Sequence, residues 1–182
     1  YGAEGIITYQ PDEPKCRDYS ESYQAEYHEH MAEILMARPY LWSTHVWNMF
    51  DFGCAARNEG GTAGRNNKGL VTLDRKIKKD AFYLYKAYWS REPFVHMCGR
   101  RYAQRPGDTD RLDGTNPAEN KKGNGNSVPE ASMAGGSTRV KVYSNQPEVS
   151  LYVNGELYQT LKGDKVFLFE QVPLFDGFTC LT

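Results

Sequence analysis

Aromatic rings are the most abundant chemistry-bearing groups in this sequence: 13 Tyr, 8 Phe and 3 Trp, or 13% of 182 residues. A flat π-face suits two uses, a packed core and the apolar C–H face of a pyranose. Trp47, inside the aromatic run YLWSTHVWNMFDF at 40–52, is open to either. The segment Asn66-Asn67-Lys68-Gly69 reads by itself as a turn carrying a solvated lysine. Asp51, Arg57 and Glu59 lie between the two, and a structural role is the simpler reading for each. His28 and His30 form an H-x-H, but positions two apart on a helix face different ways, so no zinc pair is expected. His45 reads as a buried strand residue, and His96 follows the second helix. Cys16, Cys54, Cys98 and Cys180 contain no pair at the two-residue spacing of a zinc or redox motif. No metal-binding set emerges, and scattered thiols imply a reduced compartment, with the cytoplasm favoured.

The elements that must position these residues change character along the chain. Residues 18–36 read as a helix, with Tyr23, Tyr27, Met31, Ile34 and Leu35 as its apolar stripe. Asp18 and Glu21 have capping-box spacing, and Arg38-Pro39 marks the stop. Residues 40–52 lack strict alternation, which predicts a strand buried on both faces. Residues 54–69 read as a Gly- and Asn-rich loop, 70–74 as a brief strand, and 78–89 as a second helix burying Ala81, Phe82, Tyr85, Tyr88 and Trp89. That rhythm is α/β. Residues 104–137 are dominated by Gly, Pro, Asn, Ser and charge, the composition of a linker or insertion. From Arg139 the pattern is β: RVKVY, EVSLYV, ELYQTL and KVFLFEQV, with a hairpin signal at Asn154-Gly155. These read as the start of an antiparallel sandwich.

Net charge is −1 and the pI about 6.5, which gives no electrostatic reason to expect nucleic acid or an anionic membrane as partner. No apolar run approaches the roughly 20 residues of a membrane span.

The stretches HVWNMFDF and GRNNKGLVTLDRKIKKDAFYLYKAYW, followed by EPFVHMCGRRY, resemble the end of the catalytic barrel of glycoside hydrolase family 2, which includes β-galactosidases and β-glucuronidases. YSESYQAEYHEHMAEIL fits the same template, and RVKVYSNQPEVSLYVNGE resembles the immunoglobulin-like domain that comes after the barrel. The resemblance implies an α/β plus β chain: residues 1–103 as the last βα units of a (β/α)8 TIM barrel, 104–137 as a flexible join, and 138–182 as the start of an Ig-like β-sandwich. The wording of 71–103 is closest to the β-galactosidase branch, which implies retaining hydrolysis of terminal β-D-galactosides in carbohydrate metabolism.

The resemblance also assigns roles. The opening Tyr1-Gly2-Ala3 matches the residues directly after the family's nucleophilic glutamate. The nucleophile is therefore expected immediately before Tyr1 and the acid/base further upstream, which makes this chain alone inactive. Glu4 stands three residues past the nucleophile position, where a structural role is expected. Trp47 would floor the sugar subsite, and the Tyr1 hydroxyl would reach the nucleophile or a sugar hydroxyl. Asn66 and Lys68 match the Asn-x-Lys with which β-glucuronidases grip the substrate carboxylate, so a uronide is the alternative to a galactoside. A non-catalytic carbohydrate-binding module, with its working part at 139–182, is a further alternative. No cofactor is identifiable; Mg²⁺ or Na⁺ and a homo-oligomeric state belong to the family's intact enzymes.

Overall fold

The computed structural model describes residues 1–7, 14, 18–59, 62–101, 136–175 and 179–182. Two compact units result, Tyr1–Trp89 and Ser90–Thr182. Most of the expected join at 104–137 lies outside the described residues, as does Cys16. The division between the two compact units lies at Trp89/Ser90. Val95–Met97 is a strand of the second unit's sheet, and its backbone hydrogen bonds commit it there.

In the first unit, helix α1 spans Glu21–Met36. It starts later than the sequence pattern implied because Ser20 is the better cap. The Ser20 hydroxyl accepts from the Tyr23 N–H at 3.0 Å, while Asp18 accepts from the Ser20 N–H and hydroxyl. The buried face is not the aromatic stripe, which is only partly covered. It is Glu21, Gln24, Ala25, His28 and Ala32. Those polar side chains have partners inside. Glu21 is the clearest case: its carboxylate accepts the Asp80 N–H at 2.6 Å, capping helix α2 (Asp80–Trp89) from another element. Helix α2 buries Ala81, Leu84, Tyr85 and Ala87, whereas Trp89 is exposed.

Residues 40–52 do not form the expected doubly buried strand. Trp42 is 97% exposed, and Tyr40 and His45 also face water. No described strand lies beside 40–46, and among the described residues nothing covers the Trp42 ring. From Trp47 onward the backbone is paired: Leu70 N–H donates to Asn48, Val71 N–H to Met49, and Asp51 N–H to Val71. Nor is 54–69 a plain loop. Strands β1 (Phe52–Glu59) and β2 (Thr62–Asn66) form an antiparallel ribbon with an irregular register between Gly53 and Asn58. A two-stranded ribbon with much of its surface in solvent has no alternation for a sequence to show. Of the expected strand at 70–74, only Val71 makes bridges, to Phe50 and Lys78.

The second unit is β throughout its described residues. Strand β3 (Val95–Met97), β4 (Ser137–Ser144) and β7 (Lys165–Pro173) form one antiparallel sheet, and β5 (Glu148–Val153) pairs with β6 (Glu156–Lys162) in another. The β5–β6 hairpin turns at Asn154-Gly155, as its sequence predicts. Both residues have positive φ, 51° and 86°, the requirement of the turn that matches strand twist. Val140, Val142, Val149, Leu151, Val153, Phe167, Phe169 and Val172 form the core. The inward set on β7 jumps from Phe169 to Val172 because the ladder slips there. Gln171 sits at φ 55°, a bulge that restores the buried phase, and the Tyr158 hydroxyl donates to the carbonyls of Glu170 and Gln171. Phe169 is fully buried, whereas Leu168 is 39% exposed. Phe169→Ala should therefore cost about 3–5 kcal/mol, and Leu168→Ala under about 1 kcal/mol, in urea denaturation.

Candidate functional site

The chain's first residues, the segment after Trp47 and the 66–69 turn meet in the first unit. The Trp47 N–H donates to the Tyr1 carbonyl at 2.6 Å, and the next amide, Asn48, donates to the Lys68 carbonyl at 3.1 Å. The approach at Gly2 is close: a Cβ there would lie 1.7 Å from the Trp47 carbonyl oxygen. Only glycine lets the two strands of chain touch. The Trp47–Asn48 peptide is cis. The Trp47 indole packs edge-on against Phe52, with centroids 5.9 Å apart, yet stays 54% exposed. Tyr1, Trp47 and Lys68, far apart in sequence, are thus linked through main-chain hydrogen bonds, those of Trp47 and its neighbour Asn48.

Asn66 is buried, and its side-chain oxygen accepts the Lys68 N–H at 3.0 Å. It shapes the turn. Lys68 is half-buried and makes no ion pair among the described residues. Asp51 and Arg57 have the structural roles that their sequence context suggested. Asp51 Oδ1 accepts from the Gly69 N–H at 2.9 Å and from Lys79 Nζ at 2.8 Å. Arg57 pairs with Glu4 at 3.0 Å. The side chain of Glu59 is outside the described set. Glu4 is itself buried and accepts the Asn67 N–H at 2.7 Å. In the Asp51–Lys79 pair, burial pushes the carboxyl up and the ammonium down, and each charge partly offsets the other's shift. The hollow lined by Gly2–Glu4 with Tyr19, Tyr23 and Tyr27 includes neither Trp47 nor Lys68.

A second set of groups backs Tyr1. The Tyr85 hydroxyl lies 3.1 Å from the Tyr1 hydroxyl and 2.8 Å from His28 Nδ1. The His28 ring touches those of both tyrosines, and His28 is fully buried. Burial first, then the Tyr1 ammonium and Lys79, lower the His28 pKa to about 4. Burial, reinforced by the Tyr1 contact, raises the Tyr85 phenol far above its ordinary range. Sequence reading gave Gln24 and Lys79 no role, and it did not anticipate that His28 and Tyr85 are partners. One signal was available: Glu21, Gln24 and His28 recur at spacings of three and four, a polar stripe on one helix face.

Two outcomes check this geometry. Gly2→Ala should separate Tyr1 from Trp47, read as a changed tryptophan emission maximum and a lower Tm than wild type. His28 should make stability fall with acid. Its folded pKa lies below the unfolded value of about 6.5, so the unfolded chain takes the proton first, and stability drops as pH falls from about 6.5 to about 4. The loss is about 2–3 kcal/mol, and His28→Gln should lack that part of the slope in urea titrations.

No family model matches the chain. It is 48% identical over 107 residues to a β-glucuronidase of Bacteroides fragilis, an alignment covering 56% of this chain and 15% of that protein. A solved FMN-binding β-glucuronidase from Facaelibacterium prausnitzii L2-6 is 46% identical, with a TM-score of 0.77 over 100% of this chain and 25% of that one. Bacteroides uniformis β-glucuronidase 2, solved covalently bound to cyclophellitol-6-carboxylate aziridine, is 28% identical, with a TM-score of 0.74 over 100% of this chain and 20% of that one. The chain therefore spans only about 15–25% of the length of these relatives. The shared sequence and fold place it in glycoside hydrolase family 2, among the β-glucuronidase- and β-galactosidase-like members.

Proposed function

We propose that this chain carries part of the sugar-binding rim of a retaining β-glucuronidase, with the first unit as a section of the (β/α)8 barrel and the second as an Ig-like domain. The sequence wording favours galactosides. The named relatives, which are β-glucuronidases, move the weight to β-glucuronides. The observation that carries the reading is the backbone chain of contacts from Tyr1 through Trp47 and Asn48 to Lys68. It joins, through main chain, the residue that carries an exposed indole to a lysine with no carboxylate partner among the described residues.

In this reading the Trp47 face takes the apolar face of the pyranose, and the Lys68 ammonium takes the 6-carboxylate through a charge-assisted hydrogen bond. Asn66 holds the turn that presents Lys68. The Tyr1 hydroxyl, backed by Tyr85, offers a hydrogen bond to a sugar oxygen. Retaining hydrolysis needs two free carboxylates about 5–5.5 Å apart. Glu4 and Asp51, the carboxylates bonded to this turn, are locked in ion pairs with Arg57 and Lys79. These groups therefore serve recognition and support, not bond cleavage. No step in this assignment requires a metal or cofactor ligand from the rim.

Titration of the chain with D-glucuronate and with its neutral methyl ester, followed by tryptophan fluorescence and saturation-transfer NMR, tests the assignment. A charge-assisted bond of about 1.5–3 kcal/mol corresponds to roughly 10- to 100-fold tighter binding of the acid. Lys68→Met should remove that preference, and Trp47→Ala should weaken both ligands by about fivefold or more. Equal affinity for acid and ester would overturn the glucuronide reading. Binding that survives both substitutions would point to the second unit as a carbohydrate-binding module.

A further inference from the structure

We propose that Lys79, paired with Asp51, is a positioning residue for Lys68: it fixes the Asn67–Gly69 backbone from beneath and thereby sets the preference for a carboxylate-bearing sugar over a neutral one. The inference rests on the assignment of Lys68 to the carboxylate.

Every backbone polar group of the three turn residues has a named partner. The Asn67 N–H donates to Glu4 Oε2 at 2.7 Å. The Asn67 carbonyl accepts from the Gly5 N–H and from Lys79 Nζ, both at 2.9 Å. The Lys68 N–H donates to Asn66 Oδ1, and the Lys68 carbonyl accepts from the Asn48 N–H. The Gly69 N–H donates to Asp51 Oδ1 at 2.9 Å, and the Gly69 carbonyl accepts from Gln24 Nε2 at 3.1 Å. Gln24 also bonds the Ala3 carbonyl at 3.0 Å, tying the turn to the chain beside Tyr1. The supporting side chains come from five places in the sequence and are all buried: Lys79 and Gln24 are 0% exposed, Asp51 3%, Asn66 5% and Glu4 7%.

Stability alone does not explain an ammonium here. A buried ion pair is often no better than an apolar pair of similar size. What an apolar pair cannot do is hold a carbonyl and an amide of the turn that bears Lys68 in fixed directions at once. Lys79 bridges Asp51 and the Asn67 carbonyl, while Asp51 joins Lys79 to the Gly69 amide, so the pair clamps both sides of Lys68. Gly69 completes the clamp, because a Cβ there would lie 2.0 Å from the Asp51 nitrogen. A recognition group has to be held by rigid support to keep its geometry.

The test uses the 182-residue chain and the same two probes, D-glucuronate and its methyl ester. Asp51→Asn with Lys79→Met removes both charges and leaves no lone buried ion. With the circular dichroism spectrum retained, the acid should lose about tenfold in affinity while the ester changes by less than about twofold. Gln24→Met, which changes no charge, is the second variant and should lower the acid-to-ester ratio by about threefold. Parallel loss for both ligands would make Lys79 merely structural, and an unchanged ratio in a folded variant would overturn the proposal outright. Should wild type itself show no acid preference, or Lys68→Met retain it, the carboxylate assignment fails; a ratio that responds to Lys68 but not to Lys79 or Gln24 leaves that assignment intact and sinks only the positioning role.

Discussion

The contact between Lys79 Nζ and Asp51, 2.8 Å long and closed to water, is the constraint around which the first unit is arranged. Two charges taken out of solvent cost several kcal/mol each unless they are paired and their remaining hydrogen-bonding capacity is used. Here it is used on backbone: the ammonium on the Asn67 carbonyl, the carboxylate on the Gly69 amide. The position of the turn, the start of α2 and the extended segment after Trp47 are therefore not independent. Each is held by the demand that this pair stay satisfied.

The same demand accounts for the unusual interior of α1. On its buried side Glu21 and Gln24 meet polar backbone and His28 meets the Tyr85 hydroxyl, so these polar residues go inward with Ala25 and Ala32 while the tyrosines stay nearer the surface. Glu21 answers the amide at the start of α2, Gln24 the carbonyls of the turn, and His28 the hydroxyl of Tyr85. Helix packing in this unit is thus directional as well as hydrophobic, and the Asn67–Gly69 turn inherits its order from that layer.

Legibility in the sequence followed the physics of each element. The second unit alternates apolar and polar residues, and Asn154-Gly155 has a stereochemical reason to turn, so β4 to β7 could be read nearly residue by residue. The bulge at Gln171 could not, because no composition rule announces a positive φ there. In the first unit both helices were visible from spacing and from Arg38-Pro39. Their buried faces were not, since hydropathy assigns Glu21, Gln24 and His28 to water. The run at 40–52 misled for a related reason: aromatic and β-branched residues suit a covered strand, but cover depends on neighbours that one segment cannot reveal. Trp47, Asn66, Lys68 and Tyr1 were singled out through resemblance, and backbone hydrogen bonds link Tyr1 to Trp47 and Asn48 to Lys68. The supporting Lys79 carried no local signal, because a lysine ahead of a helix is ordinarily a surface residue.

Asn67, Lys68 and Gly69 differ in how freely each can be exchanged. The buried lattice grips the main chain of all three, and Gly69 has no room for a side chain. The Lys68 side chain lies outside that lattice. Position 68 is therefore a replaceable tip on a fixed mount: its side chain can be exchanged by single substitutions while the main-chain supports stay the same. On the proposed assignment of Lys68 to the substrate carboxylate, selectivity at the sugar's sixth carbon is evolutionarily cheap, and the architecture beneath it is not.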